Sequence, residues 1–205
     1  MKIIFGFLLY PFKAFRAFFR RLPAKFTIKQ LPWDSIIRAP FQIRGGGNIH
    51  IGHGVNINKY SWLDAVPITN SETVELRIGD RVRMSFYMHI IASHRVVIGN
   101  NVNCGNGVYI ADNAHNYEDI DVAPRDQPVK QLADVVIGDD TWLGEHSIIL
   151  GCKIGKHCVI GSHALVNRDI PDYCVAVGAP AKIVKRYDFE AKKWRKTDPK
   201  GAFVE

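Results

Sequence analysis

Aliphatic residues recur at every sixth position over long stretches of this chain. The clearest ladders are Ile78, Met84 and Ile90; Ile98, Cys104 and Ile110; and Ile137, Leu143 and Ile149. Six residues turn an α-helix by about 600°, so a helix would scatter these positions over several faces. Six is a multiple of the two-residue period of a strand, so extended segments direct every ladder residue to the same side. The ladders therefore predict short β-strands that bury one side within a solenoid.

Glycine follows the aliphatic residue at several ladder positions, and turn-forming residues stand next to it. Examples are Ile98-Gly99-Asn100-Asn101 and Ile137-Gly138-Asp139-Asp140. Such groups form a corner about every six residues, and three strands between corners make one triangular coil of about 18 residues. The span from about Ile37 to Val184 predicts some seven coils, each pairing with its neighbours.

The repeat resembles that of the hexapeptide-repeat acyltransferase family, in which left-handed coils stack into a parallel β-helix. The resemblance implies an all-β fold with a β-helix over residues 34–186 and an extruded loop near residues 111–136. Residues 1–33 are expected to form an N-terminal amphipathic helix and a linker, and residues 187–205 a short C-terminal helix or tail. The family further implies acetyl-CoA as donor substrate and a homotrimer with active sites between subunits.

The ladder stops between Ile110 and Ile137, where a polar stretch with Pro124 and Pro128 cannot continue the apolar column. Long excursions from compact repeats are more often functional than idle. In the family, a histidine at the start of such a loop removes the proton of the acceptor hydroxyl, which then attacks the thioester of acetyl-CoA. The resemblance assigns this general base to His115, a residue type suited to proton transfer near neutral pH. Asp112 either orients that imidazole or caps a turn.

The segment over residues 161–187 resembles the terminal coil of saccharide O-acetyltransferases, which lines the groove for coenzyme A. The resemblance implies that the backbone of Ser162 contacts the thioester end. It places Asn167 and Arg168 along the pantetheine arm. Lys182 and Lys185 would then face the nucleotide and its phosphates, where positive charge is useful.

Three residues resemble acceptor-side positions of the family. Trp142 stands where a tryptophan commonly lies beside the active site, although an aromatic residue at a subunit contact is the alternative. Tyr87 and His89 stand where galactoside and maltose acetyltransferases carry tyrosine and asparagine, so the histidine predicts a different acceptor. The loop sequence is more similar to acetyltransferases of capsule, lipopolysaccharide or exopolysaccharide assembly. We therefore expect a saccharide acceptor, with the sugar, a lipid linkage and O- versus N-acetylation left open.

The net charge of +7 favours an anionic partner. Nucleic acid is disfavoured because the excess basic residues lie at the two ends without an aromatic-basic recognition motif. Near the N-terminus, phenylalanines recur at helical spacing between basic residues, which predicts a basic amphipathic helix. Residues 1–22 either contact an anionic membrane or cover the first coil. The apolar run before Pro11 is too short for a span, and the cysteines lack a C-x-x-C pair. We expect a cytoplasmic protein, with peripheral contact at the inner membrane face as one alternative.

Two rival classes remain at the level of sequence. A zinc-dependent carbonic anhydrase of the β-helix type is one, because His89 and His94 stand five residues apart. No third ligand column accompanies them, so no metal site is predicted. A non-catalytic β-helical scaffold is the other, and it would leave His115 and the basic terminal coil without a role.

Overall fold

The computed structural model describes residues 27–204, and its regular structure is almost entirely β-strand. The predicted N-terminal amphipathic helix falls mainly on residues 1–26, outside the described residues. The helical elements described are two short 3₁₀ turns, Gly46–Asn48 and Pro124–Asp126.

The chain winds through five coils of three strands each and a sixth coil with two strands. One further strand of the prism and a terminal hairpin follow. The first three coils contain β1 (Ile36–Ile37), β2 (Phe41–Arg44), β3 (Ile49–Ile51), β4 (Asn56–Ile57), β5 (Ser61–Ala65), β6 (Glu75–Ile78), β7 (Arg83–Met84), β8 (His89–Ala92) and β9 (Arg95–Ile98). The fourth coil contains β10 (Asn103–Cys104) and β11 (Tyr109–Ala111), then the protruding pair β12 (Asn113–His115) and β13 (Val129–Gln131), then β14 (Val135–Ile137). The remainder is β15 (Trp142–Leu143), β16 (Ile148–Leu150), β17 (Lys153–Ile154), β18 (Val159–Ile160), β19 (Leu165–Val166), β20 (Cys174–Val177), β21 (Lys182–Asp188) and β22 (Lys193–Lys196).

Three parallel sheets form the sides of a triangular prism. Sheet I contains β1, β4, β7, β10, β15, β18 and β20, extended by β21 and β22; sheet II contains β2, β5, β8, β11, β16 and β19; sheet III contains β3, β6, β9, β14 and β17. The ladder residues face inward, and Ile78, Met84 and Ile90 are at most 1% exposed. The predicted solenoid is confirmed, with six coils and the first strand of a seventh, because seven successive strands enter sheet I before the chain reverses.

At corner glycines such as Gly79, Gly99 and Gly138, neighbouring coils approach each other too closely for any side chain. A Cβ atom added to Gly79 would lie 2.7 Å from the carbonyl carbon of Gly99 in the next coil. The left-handed backbone conformation falls two residues later, at Arg81 with φ of 54°. The glycine is therefore required by the spacing between coils, and the turn itself tolerates other residues.

The expected short helix within residues 187–205 is wrong, because β21 and β22 form an antiparallel hairpin there. Strand β21 pairs antiparallel with β20, and β22 pairs antiparallel with β21. The last coil leaves a sheet edge with unpaired backbone groups, and an added strand satisfies them. Ile183 on β21 is 6% exposed and packs onto the end of the core. Strand β21 also crosses the expected domain boundary at residue 186.

Candidate functional site

His115 ends β12, the outgoing strand of a hairpin that leaves the prism at the corner between sheets II and III. The hairpin follows β11 in the fourth coil, and His115 lies opposite Val129 of β13. The expected extruded loop is thus present as an antiparallel pair with a closing loop. Within residues 27–204 the imidazole makes no hydrogen bond, and the residue is exposed. Both ring nitrogens are therefore available to a substrate.

Asp112 does not orient His115, because its carboxylate is hydrogen-bonded to backbone N–H groups of the preceding coil. It accepts hydrogen bonds from the backbone N–H groups of Ser93, His94 and Arg95 at 2.7–2.8 Å. Burial favours the neutral acid, but the hydrogen bonds from Ser93 and His94 prevail and lower the pKa of Asp112. The turn-capping alternative is the one that the structure supports.

The loop beyond His115 is held closed by the buried side chain of Gln127. Its amide nitrogen donates to the carbonyl oxygens of Asp119 and Val122, both at 2.7 Å. Its amide oxygen accepts from the backbone N–H of Asp119 at 3.3 Å. These contacts fix the shape of a segment that otherwise has mostly exposed side chains. The sequence reading missed Gln127, because an amide in a polar loop gives no periodic signal.

The two predicted acceptor-side residues of the third coil have separate surroundings. Tyr87 occupies the corner between sheets I and II with φ of 60°, and its ring stacks on Tyr60 at 5.1 Å. His89 lies on β8, stacked on Trp62 at 4.4 Å and edge-on to Tyr109 at 5.1 Å. Its Nε2 atom is buried without a hydrogen-bond partner, and burial lowers the pKa of His89. The imidazole is therefore favoured in its neutral form.

An ion pair beside the rings of Trp62 and His89 was not predicted from the sequence. Asp64 is fully buried and pairs with the guanidinium of Arg44, while the indole N–H of Trp62 also donates to its carboxylate. Arg44 and Asp64 stand twenty residues apart, close to the repeat of one coil. That spacing is the signal that could have found the pair.

A groove of about 430 Å³ lies on the outer side of sheet I. Its lining residues are Asp140, Trp142, His157, Cys158, Val159, Val175, Lys185 and Trp194. It brings together Trp142, predicted on the acceptor side, and Lys185, predicted on the donor side. Trp142 is 52% exposed, so its indole is available for contact with a ligand or another chain.

The other predicted donor-side residues are distributed around the terminal coils. Ser162 lies between β18 and β19, at the corner of sheets I and II. Asn167 and Arg168 follow β19 at the corner of sheets II and III. Lys182 begins β21 opposite Val177. All four predicted residues are exposed, and one chain does not gather them into a single groove.

The zinc alternative finds no support in the described residues. His94 pairs through Nδ1 with Asp134 at 2.7 Å, while the ring of His89 lies against Trp62 and Tyr109. No group of three or more potential metal ligands is present among residues 27–204.

Comparison with known proteins agrees with this architecture. A family model described as "Bacterial transferase hexapeptide (six repeats)" matches residues 134–168. An Escherichia coli K12 protein named as a lipopolysaccharide biosynthesis O-acetyl transferase is 33% identical over 168 residues, covering 78% of this chain and 83% of that protein. A Mycobacterium tuberculosis protein named as an acetyltransferase is 38% identical over 151 residues, covering 68% of this chain and 50% of that protein. This chain therefore spans half the length of the M. tuberculosis relative.

Among solved structures, AntD is similar in fold. AntD is an N-acyltransferase from Bacillus cereus, solved with coenzyme A and an amino-sugar nucleotide. It matches with a TM-score of 0.68 at 18% identity, covering 82% of this chain and 88% of that chain. Together with the repeat and the E. coli relative, this establishes that the chain belongs to the hexapeptide-repeat acyltransferase family and has that family's left-handed parallel β-helix.

Proposed function

We propose that the chain transfers the acetyl group of acetyl-CoA to a hydroxyl of a saccharide, with His115 as general base. The observation that carries this proposal is the place of His115, on a hairpin that interrupts an otherwise regular solenoid and with an exposed, unbonded imidazole among the described residues. The E. coli relative, named for lipopolysaccharide biosynthesis, supports an acceptor in cell-surface polysaccharide assembly.

The reaction follows from the basicity of a neutral imidazole. A nitrogen of His115 takes the proton of the acceptor hydroxyl while the oxygen attacks the thioester carbonyl carbon. Backbone N–H groups are the expected donors to the oxyanion of the tetrahedral intermediate. The carbon–sulfur bond then breaks, and the imidazolium returns the proton to the departing thiolate. The products are an acetyl ester and coenzyme A.

Direct transfer, without an acetylated cysteine, is supported by the state of the thiols. Cys104, Cys152, Cys158 and Cys174 are all free and buried. Burial raises the pKa of Cys104 and Cys152 to about 12 and that of Cys158 to about 11. Thiols with such pKa values remain protonated at neutral pH and are poor nucleophiles. We infer that the acceptor itself attacks the thioester.

A site shared between copies is supported by the arrangement of one chain. The hairpin of His115 departs from the corner of sheets II and III, whereas Trp142 and Lys185 face outward from sheet I. In a triangular prism that corner lies opposite sheet I, so these residues meet only when two copies lie side by side. We propose a homotrimer in which His115 of one copy faces the sheet I groove of its neighbour.

The remaining site assignments are part of the same proposal. Tyr87, His89 and Trp142 would contact the acceptor, because exposed or partly buried rings suit the apolar face of a sugar. Ser162, Asn167, Arg168, Lys182 and Lys185 would contact the donor, whose phosphates pair with the basic members.

The test is acetyl transfer by a His115→Ala variant, measured as release of coenzyme A with a panel of saccharide acceptors. Loss of a general base should lower kcat by about 100- to 10,000-fold. His53→Ala is the matched control, since His53 is an exposed corner histidine far from the hairpin in sequence. Amino sugars in the panel distinguish N- from O-acetylation. Unchanged turnover by the His115→Ala variant would exclude the proposed base.

The proposed contact with a membrane would be made by the N-terminal segment. No helix among the described residues is both long and apolar enough to cross a bilayer. The phenylalanine and basic residues of 1–22 support a peripheral contact with anionic lipid at the cytoplasmic face. A lipid-linked saccharide acceptor would make such a contact useful. The alternative, that the segment covers the first coil, predicts instead that its deletion destabilises the fold.

A further inference from the structure

Two segments leave the prism at the corner between sheets II and III. One is the hairpin that carries His115, in the fourth coil. The other is the second-coil loop, residues 66–74, which connects β5 to β6. Between them the third coil turns tightly, with only Ser93 and His94 between β8 and β9. Because neighbouring strands lie about 4.8 Å apart, the two segments leave the prism about 10 Å apart. They therefore form two walls of an open cleft above the third-coil corner.

The side chain of Gln131 holds the second-coil loop against the hairpin. Its amide oxygen accepts a hydrogen bond from the hydroxyl of Thr69 in the loop. The same oxygen accepts from the hydroxyl of Ser93 in the third-coil corner at 3.1 Å. The amide nitrogen donates to the carbonyl oxygen of Asp112, at the base of the hairpin, at 2.7 Å. One side chain thus joins three successive coils and keeps the loop beside the hairpin.

The register of the hairpin shows which way His115 faces. On β12 and β13, Asn113 lies opposite Gln131, and His115 lies opposite Val129. Side chains directly opposite on antiparallel strands, or two residues apart on one strand, lie on the same face. Gln131 reaches Thr69 from that face. His115 therefore lies on the face toward the second-coil loop, one step of alternation farther from the prism.

The outer end of the second-coil loop presents polar groups on a shaped backbone. Asn70 and Glu72 are exposed, and neither side chain has a hydrogen bond or an ion pair within the part of the chain that the structure describes. The φ angle of Asn70 is 60°, and the hydroxyl of Ser71 donates to the carbonyl oxygen of Thr73 at 2.8 Å. An amide both donates and accepts, and a carboxylate accepts through two oxygens, so together they match the hydroxyls of a sugar.

The acidic residues of the loop and of the strand that follows it differ in their partners. The carboxylate of Glu75 lies 2.6 Å from the guanidinium of Arg77 and 3.2 Å from that of Arg95. Glu72 lacks such a counter-ion among the described residues. The outer end of the loop therefore carries an uncompensated negative charge, which disfavours an acidic sugar.

We propose that the second-coil loop is a specificity-determining wall of the acceptor site, in which Asn70 and Glu72 hydrogen-bond the sugar next to the one that is acetylated. The inference rests on the proposed function, since it takes a saccharide as the acceptor at His115. Because the two walls stand about 10 Å apart, a ring held at His115 leaves the loop to contact a second ring. The acceptor is thus a neutral saccharide of at least two rings. Thr69 is a positioning residue that holds the wall in place.

The test is steady-state acetyl transfer by the full-length chain and its variants, with methyl glycosides of single neutral sugars and with neutral disaccharides as acceptors. Glu72→Gln should lower kcat/KM for the best disaccharide about tenfold, the scale of a charged hydrogen bond. Asn70→Gly should lower it about threefold, because glycine keeps the positive φ and removes only the amide. Single sugars do not reach the loop, so their kcat/KM and the KM for acetyl-CoA should change by less than about twofold.

Thr69→Val removes the hydrogen bond to Gln131 and keeps the shape of the side chain. It should raise KM for the disaccharide about fivefold while kcat stays within about twofold. Thr73→Val is the matched control, since it makes the same change in the same loop at a side chain without a hydrogen bond among the described residues. It should leave both constants unaltered.

Charge gives a second readout. A disaccharide whose second sugar is a uronic acid should be a poorer acceptor than its neutral counterpart, and Glu72→Gln should narrow that difference by removing the repulsion between carboxylates. Glu190→Gln, an exposed change in the terminal hairpin, should leave the difference as in wild type.

Several results would overturn the proposed wall. They are wild-type kcat/KM for disaccharides in both Glu72→Gln and Asn70→Gly, an equal loss for single sugars, or a wild-type chain that prefers single sugars to every disaccharide. Thermal unfolding at the wild-type temperature confirms that each variant is folded. A wild-type chain that acetylates no saccharide of the panel contradicts the proposed function itself, and the wall with it.

Discussion

At the residue scale, Asp112 illustrates how one residue supports both ends of the protruding hairpin. Its side chain accepts five hydrogen bonds, from Ser93 N and Oγ, His94 N, Arg95 N and Asn113 Nδ2. Its carbonyl oxygen accepts from the backbone N–H of Leu132, where the chain returns from the loop, at 2.8 Å. Asp112 therefore ties the third coil to the base of the hairpin that carries His115.

We expect Asp112→Asn to lower the free energy of unfolding at pH 7 by about 1–3 kcal/mol, because the amide leaves buried N–H donors unmatched. The pKa of Asp112 is lowered in the folded state, so its contribution is present above the unfolded value of about 3.9 and is lost as pH falls through the folded value. The difference between variant and wild type should thus shrink in acid. Urea unfolding at pH 7 and pH 3 measures this, and a difference that grows in acid contradicts it.

At the scale of elements, the protruding hairpin and the terminal hairpin were predicted to different extents. The break in the six-residue ladder indicated where the first hairpin leaves the prism, but not that β12 pairs with β13 across more than a dozen intervening residues. The terminal segment was expected to be helical and is the hairpin of β21 and β22. Its conformation depends on the sheet edge exposed by β20, which a local pattern does not reveal.

We predict that Gln127→Ala lowers kcat for acetyl transfer about tenfold, because a base carried on a looser loop loses its orientation. The free energy of unfolding should change by less than about 1 kcal/mol, since the loop lies outside the core. Steady-state kinetics together with thermal unfolding separates the two effects. Arg125→Ala, an exposed change in the same loop, should leave kcat unaltered. Wild-type kcat in Gln127→Ala would show that the loop does not position His115.

At the scale of the whole molecule, the prism separates His115 from the groove on sheet I. The hairpin of His115 leaves one corner, and the groove with Trp142 and Lys185 occupies the opposite sheet. Fifteen large hydrophobic side chains remain exposed among the described residues, Trp142 and Ile148 included, and they offer apolar surface for contact between copies. In the proposed trimer, an isolated chain would hold only part of the site.

Sedimentation velocity of the full-length protein near neutral pH and 0.15 M salt should show a species with three times the 23.1 kDa mass of one chain. Mixing His115→Ala chains with Lys185→Gln chains should restore activity at those interfaces that combine the two intact residues. A fully active monomer would contradict the shared site, as would the absence of any rescue in mixed trimers.

The amino-acid sequence by itself determined the solenoid and the exit point of the loop that carries His115. Both follow from a six-residue period whose meaning depends only on strand alternation along the chain. Tertiary structure alone decided the capping role of Asp112, the terminal hairpin, and the groove that brings Trp142 and Lys185 together. Each of these depends on which strands become neighbours in the folded chain. The pairing of distant strands is a property of the stacked coils, so it emerges only when the chain has folded.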